Sequence, residues 1–399
     1  MIHVPATALL LLALLAPATA RANADTTATL EISGWAELTL QKFDRTREDG
    51  GLSHLVPRAD FLRAEIEMNR RLDAEFSVKA EIEFEHGGVA EDEVPIAVDP
   101  ASGHGNANLG GEVSLEEAYL EWSRHRAFGA RAGQLSVPVG LLNEAHEPGD
   151  FLGSLRNDVE RRIIPTTWTA LGVGVFGELG HGISYRACLL EGLDASRFTA
   201  EQAIREGRQH GSSANATHPA LVARIDWRRA GLGLGGSLYS GDAWQGEVPA
   251  GRTLHVRVTL QEAHTTLAWR GLQARAFYVM GTISDHAELS RQLGVANTSD
   301  AIGSRFFGGR AEAGYDVLPI AYPGTKRSLV AFAATDLSDT QDGVGPIGSE
   351  DPSRHWNTLT IGMSFKPRPD IVIKADRRRR HNETRTQAGE WNMALGYEF

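Results

Sequence analysis

The sequence predicts an all-β protein: a transmembrane antiparallel β-barrel of about sixteen strands, with short turns at one end and long loops at the other. Three observations carry that prediction. Stretch after stretch alternates apolar and polar side chains with period two, which puts one set on each face of a strand. Short turns alternate with long polar loops rich in Gly and Pro, the connection rhythm of membrane barrels. The chain closes on WNMALGYEF, an alternating aromatic and aliphatic segment that ends in Phe399. Composition removes the rivals. After residue 20 no apolar run reaches the ~18–20 residues of a membrane helix, so a polytopic helical protein is excluded. A single cysteine, Cys188, excludes a disulfide framework and a Cys-based zinc site. With 51 acidic against 40 basic residues the chain is no general nucleic-acid binder, and at 42% hydrophobic and 23% charged it is not disordered.

The elements follow in order. Residues 6–18, ATALLLLALLAPA, are apolar but too short to span a bilayer, and they precede the small-residue sites Ala18-Thr19-Ala20 and Ala22-Asn23-Ala24. Residues 1–24 therefore read as a signal peptide, although the segment before the apolar run lacks Lys and Arg, and residues 25–399 as the barrel domain. Cleavage after Ala24 leaves 39 bases against 51 acids and sends the chain out of a bacterial cytoplasm. Strands are expected near 29–43, 58–70, 74–86, 113–124, 127–138 and 167–179. Five more follow near 182–193, 219–229, 231–241, 252–269 and 271–283. The last five lie near 305–317, 327–338, 356–366, 370–381 and 389–399. In 74–85 the apolar set Phe76, Val78, Ala80, Ile82, Phe84 interleaves with Glu75, Ser77, Lys79, Glu81, Glu83, Glu85. The same division is expected at Leu254, Val256, Val258, Leu260 against His255, Arg257, Thr259, Gln261. A greasy face and a charged face repeated around a closed sheet fit lipid outside and water inside. A soluble barrel would invert the two, and alternation alone does not separate them.

Supporting signals decide for the membrane. Trp122, Trp227 and Trp269 sit near short turns, where one interfacial girdle would lie, and Trp168 and Trp356 sit beside long loops, where the other would lie. The long loops, 87–112, 139–166, 194–218, 284–304 and 339–355, all fall on one side. In the last strand Trp391, Met393, Leu395, Tyr397 and Phe399 share a face, which resembles the terminal signal read by the barrel-assembly machinery. The expected location is the bacterial outer membrane.

Residues 131–195 narrow the reading. A strand carrying Gly133-Gln134 runs into Val137-Pro138-Val139-Gly140, a long loop follows from Glu144 to Pro165, and the hairpin Leu171 to Leu193 ends in Glu191-Gly192-Leu193-Asp194. This layout resembles the phosphate-selective porin O and P family of Gram-negative bacteria. The resemblance implies a sixteen-stranded homotrimeric channel whose third external loop folds into the lumen and sets the constriction. Members named for phosphate place a lysine cluster there. The loop 139–166 has no lysine, and its bases are Arg156, Arg161 and Arg162.

The residues themselves suggest a pore of two signs. Candidate lumen-lining bases are Arg63, Lys79, Arg224, Arg257, Arg275, Arg310 and Lys374, and candidate acids include Glu65, Glu81 and Glu83. The early strands are Glu-rich and the later ones Arg-rich, so opposite walls of opposite sign, with a transverse field between them, are expected. The alternative for each is mutual pairing that only stiffens the wall. Constriction candidates are Arg131, Arg156, Arg161 and Arg162, whose guanidinium forks suit oxyanions. In the run Arg377 to Arg380 two residues would face the lumen and two the headgroup level, near lipopolysaccharide phosphates. No His-Glu-x-x-His, no Gly-x-Ser-x-Gly and no phosphate loop occurs, so no enzyme, metal or cofactor is expected. The expected function is passive diffusion of small hydrophilic solutes or inorganic anions. A non-conducting structural or adhesive barrel, or a barrel lipase or protease, are the alternatives.

Overall fold

The computed structural model describes residues 29–46, 52–54, 57–87, 111–246, 254–384 and 387–399. The expected signal peptide and most of the expected loop 87–112 lie outside the described residues. The strands are β1 (Leu30–Thr46), β2 (Leu52–His54), β3 (Arg58–Arg71), β4 (Phe76–Glu85), β5 (Glu112–His125) and β6 (Phe128–Ser136). They continue as β7 (Thr169–Gly180), β8 (Ile183–Leu190), β9 (Ala220–Arg229), β10 (Leu232–Asp242), β11 (Arg257–Trp269) and β12 (Leu272–Ile283). The last are β13 (Arg305–Asp316), β14 (Ser328–Asp342), β15 (His355–Arg368), β16 (Ile371–Asn382) and β17 (Gln387–Glu398). They form one antiparallel sheet in which β1 also pairs with β17, from Trp35 opposite Glu398 to Thr46 opposite Gln387. The three-residue β2 folds back on the end of β1, so sixteen strands make the wall. Backbone bonds from Gly34 N to Phe399 O (3.0 Å) and from Phe399 N to Gly34 O (2.9 Å) extend the seam to the last residue. A closed sheet leaves no edge, which is what a membrane demands of backbone donors and acceptors.

All sixteen expected strands are present, within a few residues of their expected limits. The tight turns have a simple cause. His181-Gly182, Ala230-Gly231 and Arg270-Gly271 each place two successive residues at positive φ, 52° and 84°, 50° and 83°, 47° and 86°. That is the geometry that matches strand twist across a two-residue hairpin, and glycine takes its second position without strain.

Burial settles which face is which. On β9 Arg224 is 7% exposed and its neighbour Ile225 57%. Leu171, Leu221, Leu359, Ile361, Met363, Trp391 and Met393 are likewise exposed, while Glu37, Glu65, Glu81, Glu83, Lys374 and Asp376 are buried. Apolar residues face out and charged residues face in, the membrane arrangement. No helix among the described residues is long and apolar enough to cross a membrane, and the strands carry the crossing.

Three expectations are corrected. On β11 the faces are reversed near the loop end: Val256, Val258 and Leu260 point inward and are fully buried, and Arg257 lies on the exposed outer face rather than on the lumen. Trp168 is buried inside, its ring centroid 4.9 Å from that of Tyr239, and belongs to no lipid girdle. Trp356 shares the inward register of Thr358 and Thr360 and lies under the Arg380 guanidinium, 5.1 Å from its ring centroid. The first two share a cause. The long loops fold inward and give the adjoining wall something apolar to pack against. Val137, Val139, Val159, Ile163 and Trp168 from one loop, and Leu193, Phe198 and Ile204 from the next, form one cluster with Val258, Leu260, Phe277, Val279 and Phe306 of the wall.

Candidate functional site: the loop across the lumen

The segment 137–168 leaves β6, crosses the barrel and returns to β7. Its own side chains define it. Asn143 ties the two legs together: its Nδ2 donates to Val137 O (2.7 Å) and Trp168 O (2.8 Å), and its Oδ1 accepts from Trp168 N (2.7 Å). The short helix α1 (Asp158–Arg162) starts at Asn157, whose side chain accepts from Glu160 N (2.8 Å) and donates to Glu160 Oε2 (2.7 Å), a reciprocal cap. The other Glu160 oxygen accepts from the backbone N–H groups of Leu141 (2.6 Å) and Leu142 (2.5 Å).

The loop is seated on the far wall by contacts distant in sequence. Asp376 accepts from Ser154 N at 2.5 Å, and Arg378 donates to Leu155 O (2.9 Å) and Arg156 O (3.1 Å). The Lys374 ammonium lies 3.5 Å from the Phe151 ring centroid, and Lys366 Nζ reaches Gly149 O at 3.1 Å. Two glycines of the wall make room. A Cβ at Gly308 would fall 2.5 Å from Val159, and one at Gly396 would fall 2.3 Å from Pro148.

Around the helix, positive charge dominates. Arg380 reaches Asp158 at 3.2 Å and Glu390 at 3.3 Å, and Arg161 reaches Asp158 at 3.1 Å. Arg156 donates to Thr167 Oγ1 (3.1 Å) and stands 3.8 Å from Glu83. Arg162 is buried, and its Nε has no hydrogen-bond partner among the described residues. Burial pushes the Asp158 carboxyl up, but Arg380, Arg161, Arg378 and Arg162 outweigh it and hold the group well below the ordinary aspartate range. Burial, helped by the Arg380 charge, lowers Arg162 to about 9.

The neighbouring wall of β3 to β5 is acidic. Lys79 holds Glu67 (2.9 Å), Glu81 (2.8 Å) and Glu117 (3.0 Å), while Arg63 holds Glu83 (3.3 Å) and Glu85 (2.8 Å). Glu65 accepts from Trp35 Nε1 at 2.9 Å and faces His146 Nε2 of the loop at 3.2 Å. Three more candidates are paired with carboxylates. Arg224 binds Asp226 through two nitrogens (2.7 and 3.0 Å), Arg275 binds Glu312 (2.6 Å) and Arg310 binds Asp336 (2.6 Å). Arg131 is on β6, not the loop. It binds Glu121 at 2.8 Å and stacks over Tyr119 and Phe176. The loop thus gathers Arg156, Arg161 and Arg162 with Arg378 and Arg380, and leaves Arg131 in the wall. Arg378 and Arg380 are the inward pair of the arginine run, as the alternation implied; Arg379 is exposed and Arg377 lies over Trp391. His146, Phe151, Gly308 and Gly396 were not read from the sequence; a lumen-facing glycine in a strand is a signal for the last two.

A closed barrel, apolar outside and charged within, with a loop folded through its lumen, is a bacterial outer-membrane β-barrel of porin architecture. Solved structures of that fold are similar to it. An outer-membrane protein of Vibrio cholerae, the loop L8 deletion mutant of OmpT, is 11% identical and superposes with a TM-score of 0.56 over 94% of this chain and all of that one. An anion-selective porin from Comamonas acidovorans gives 9% identity and 0.55 over 93% of this chain and all of that one. Salmonella typhi OmpF, in complex with daunomycin, gives 10% and 0.52 over 93% and 98%. In sequence the chain is 30% identical over 297 residues to an uncharacterized protein of Aquifex aeolicus (strain VF5), a match covering 72% of this chain and 66% of that one, just under two thirds of its length. No family model matches, the phosphate-selective porins included.

Proposed function

We propose that this barrel is a non-enzymatic porin for small hydrophilic solutes that favours inorganic anions, phosphate among them, and works as a homotrimer. The observation that carries the reading is the placement of Arg156, Arg161 and Arg162 inside the lumen against Arg378 and Arg380, where cations outnumber the carboxylates paired with them among the described residues. A fixed excess of one sign at a narrow, low-dielectric point selects ions of the other sign. The acidic wall of β3 to β5 stands beside it and gives the lumen a charge of the other sign there. Phe399, at the closing seam, serves the assembly machinery, and the outward Arg379 suits lipopolysaccharide phosphates.

The test is the reversal potential of refolded protein in a planar bilayer under a KCl gradient, with phosphate then added. Anion selectivity with block by phosphate is the expected result. Cation or weak selectivity without block makes it a general porin. A second reading has its own support: the inward-folded loops pack an apolar cluster into the lumen, as a non-conducting structural barrel would. Absence of conductance from folded protein would favour it.

A further inference from the structure

We propose that Glu65 of β3, Glu81 of β4 and His146 of the inserted loop form a binding site for a divalent first-row transition metal such as zinc, which fastens the loop to the acidic wall. The three side chains are all buried, and each offers a ligand atom within 4.8 Å of the other two. Two carboxylates and one imidazole are a donor set of borderline hardness, suited to zinc and its neighbours rather than to calcium or magnesium.

Their orientation is prepared from behind. Glu65 Oε1 is held by the Trp35 indole N–H at 2.9 Å, which leaves Oε2 toward His146, and Glu81 Oε2 is held by Lys79 at 2.8 Å. Outer-shell donors that fix carboxylate ligands are a feature of built metal sites.

The imidazole supplies an independent observation. It is 8% exposed, its Nε2 points at Glu65 Oε2 from 3.2 Å, and its Nδ1 is buried without a hydrogen-bond partner among the described residues. If Nε2 carries the proton, Nδ1 is a buried bare acceptor. If Nδ1 carries it, the Nε2 lone pair meets a carboxylate oxygen. A cation between the two makes the second tautomer favourable, and that is the ligating form. A dication would also offset the mutual repulsion of Glu65 and Glu81, to which Glu83 adds.

The experiment uses the refolded full barrel in detergent micelles, dialysed against micromolar zinc, with bound metal measured after removal of the excess. The expected result is one zinc per chain, with affinity reduced at least about tenfold in both His146→Ala and Glu81→Gln. Heat-dependent gel migration verifies that each variant is folded, and the two variants keep the test alive if one is not. Wild type that retains no zinc, or folded variants that bind it as wild type does, would overturn the site. The binding readout needs no conductance, so its failure is distinct from failure of the porin reading. In bilayers, zinc should shift the reversal potential toward anions in wild type and leave His146→Ala unchanged.

Discussion

The inner surface of this barrel has two regions built from the same period-two pattern. On β3, β4 and β16 the inward positions are Glu65, Glu81, Glu83, Lys374, Asp376 and Arg378, and they hold one another and the inserted loop by ion pairs, hydrogen bonds and, at Lys374, a cation–π contact with Phe151. On the loop-side half of β11 the inward positions are Val258 and Leu260, while further along the same strand they become Glu262 and His264. The difference follows the loops. Where an inserted loop brings Val159, Ile163 or Phe198 against the wall, the wall is apolar; where it brings backbone and arginine, the wall is charged. The lumen is therefore partly an apolar core and partly a charged, ion-paired interior.

Five predictions test that division, from the largest effect downward. Asp158→Asn removes a carboxylate from between Arg380 and Arg161, leaving buried guanidinium charge uncompensated, and should cost about 3–5 kcal/mol locally. The readout is limited proteolysis: trypsin should cut after Arg161 or Arg162 in the variant and not in wild type. The same contact gives a pH dependence. The Asp158 pKa is depressed in the fold, so its contribution is present above the ordinary value of roughly 3.9 and is lost as the pH falls below it. Wild-type loops should become cleavable by an acid-active protease in that range, and a loop equally protected through it would contradict the pairing.

Leu260→Ala leaves a cavity inside the apolar region and should cost about 2–5 kcal/mol in denaturant unfolding. Ile225→Ala, on the lipid face, leaves no cavity that lipid cannot fill and should cost less. Equal losses would mean that the inward apolar cluster is not a packed core.

Arg162→Gln should shift the reversal potential toward cations by several millivolts or more, with little change in unfolding, because the group is charged, inside and held by no described ion pair. The smallest effect is expected at Arg257→Gln. That side chain is on the outer face, so selectivity should stay at the wild-type value, and a shift matching that of Arg162→Gln would put it back in the lumen.

The expected lumen set fared according to the physics each residue faced. Arg63, Lys79, Arg224, Arg275, Arg310, Lys374, Glu65, Glu81 and Glu83 point inward, away from the lipid that a charge on the outer face would meet at mid-strand. Arg257 failed because its apolar neighbours had a better partner inside than lipid outside.

The sixteen strands, their tight turns and the outward face of the last strand were determined by local sequence alone, since alternation and hairpin geometry are fixed within a few residues. Which way β11 faces, the loop's seat against Gly308 and Gly396, the gathering of Arg156, Arg162, Arg378 and Arg380, and the meeting of His146 with Glu65 were decided only in three dimensions. Each of those joins residues tens to hundreds of positions apart, and a period-two pattern records that a strand has two faces without recording what the closed barrel and its loops will set against them.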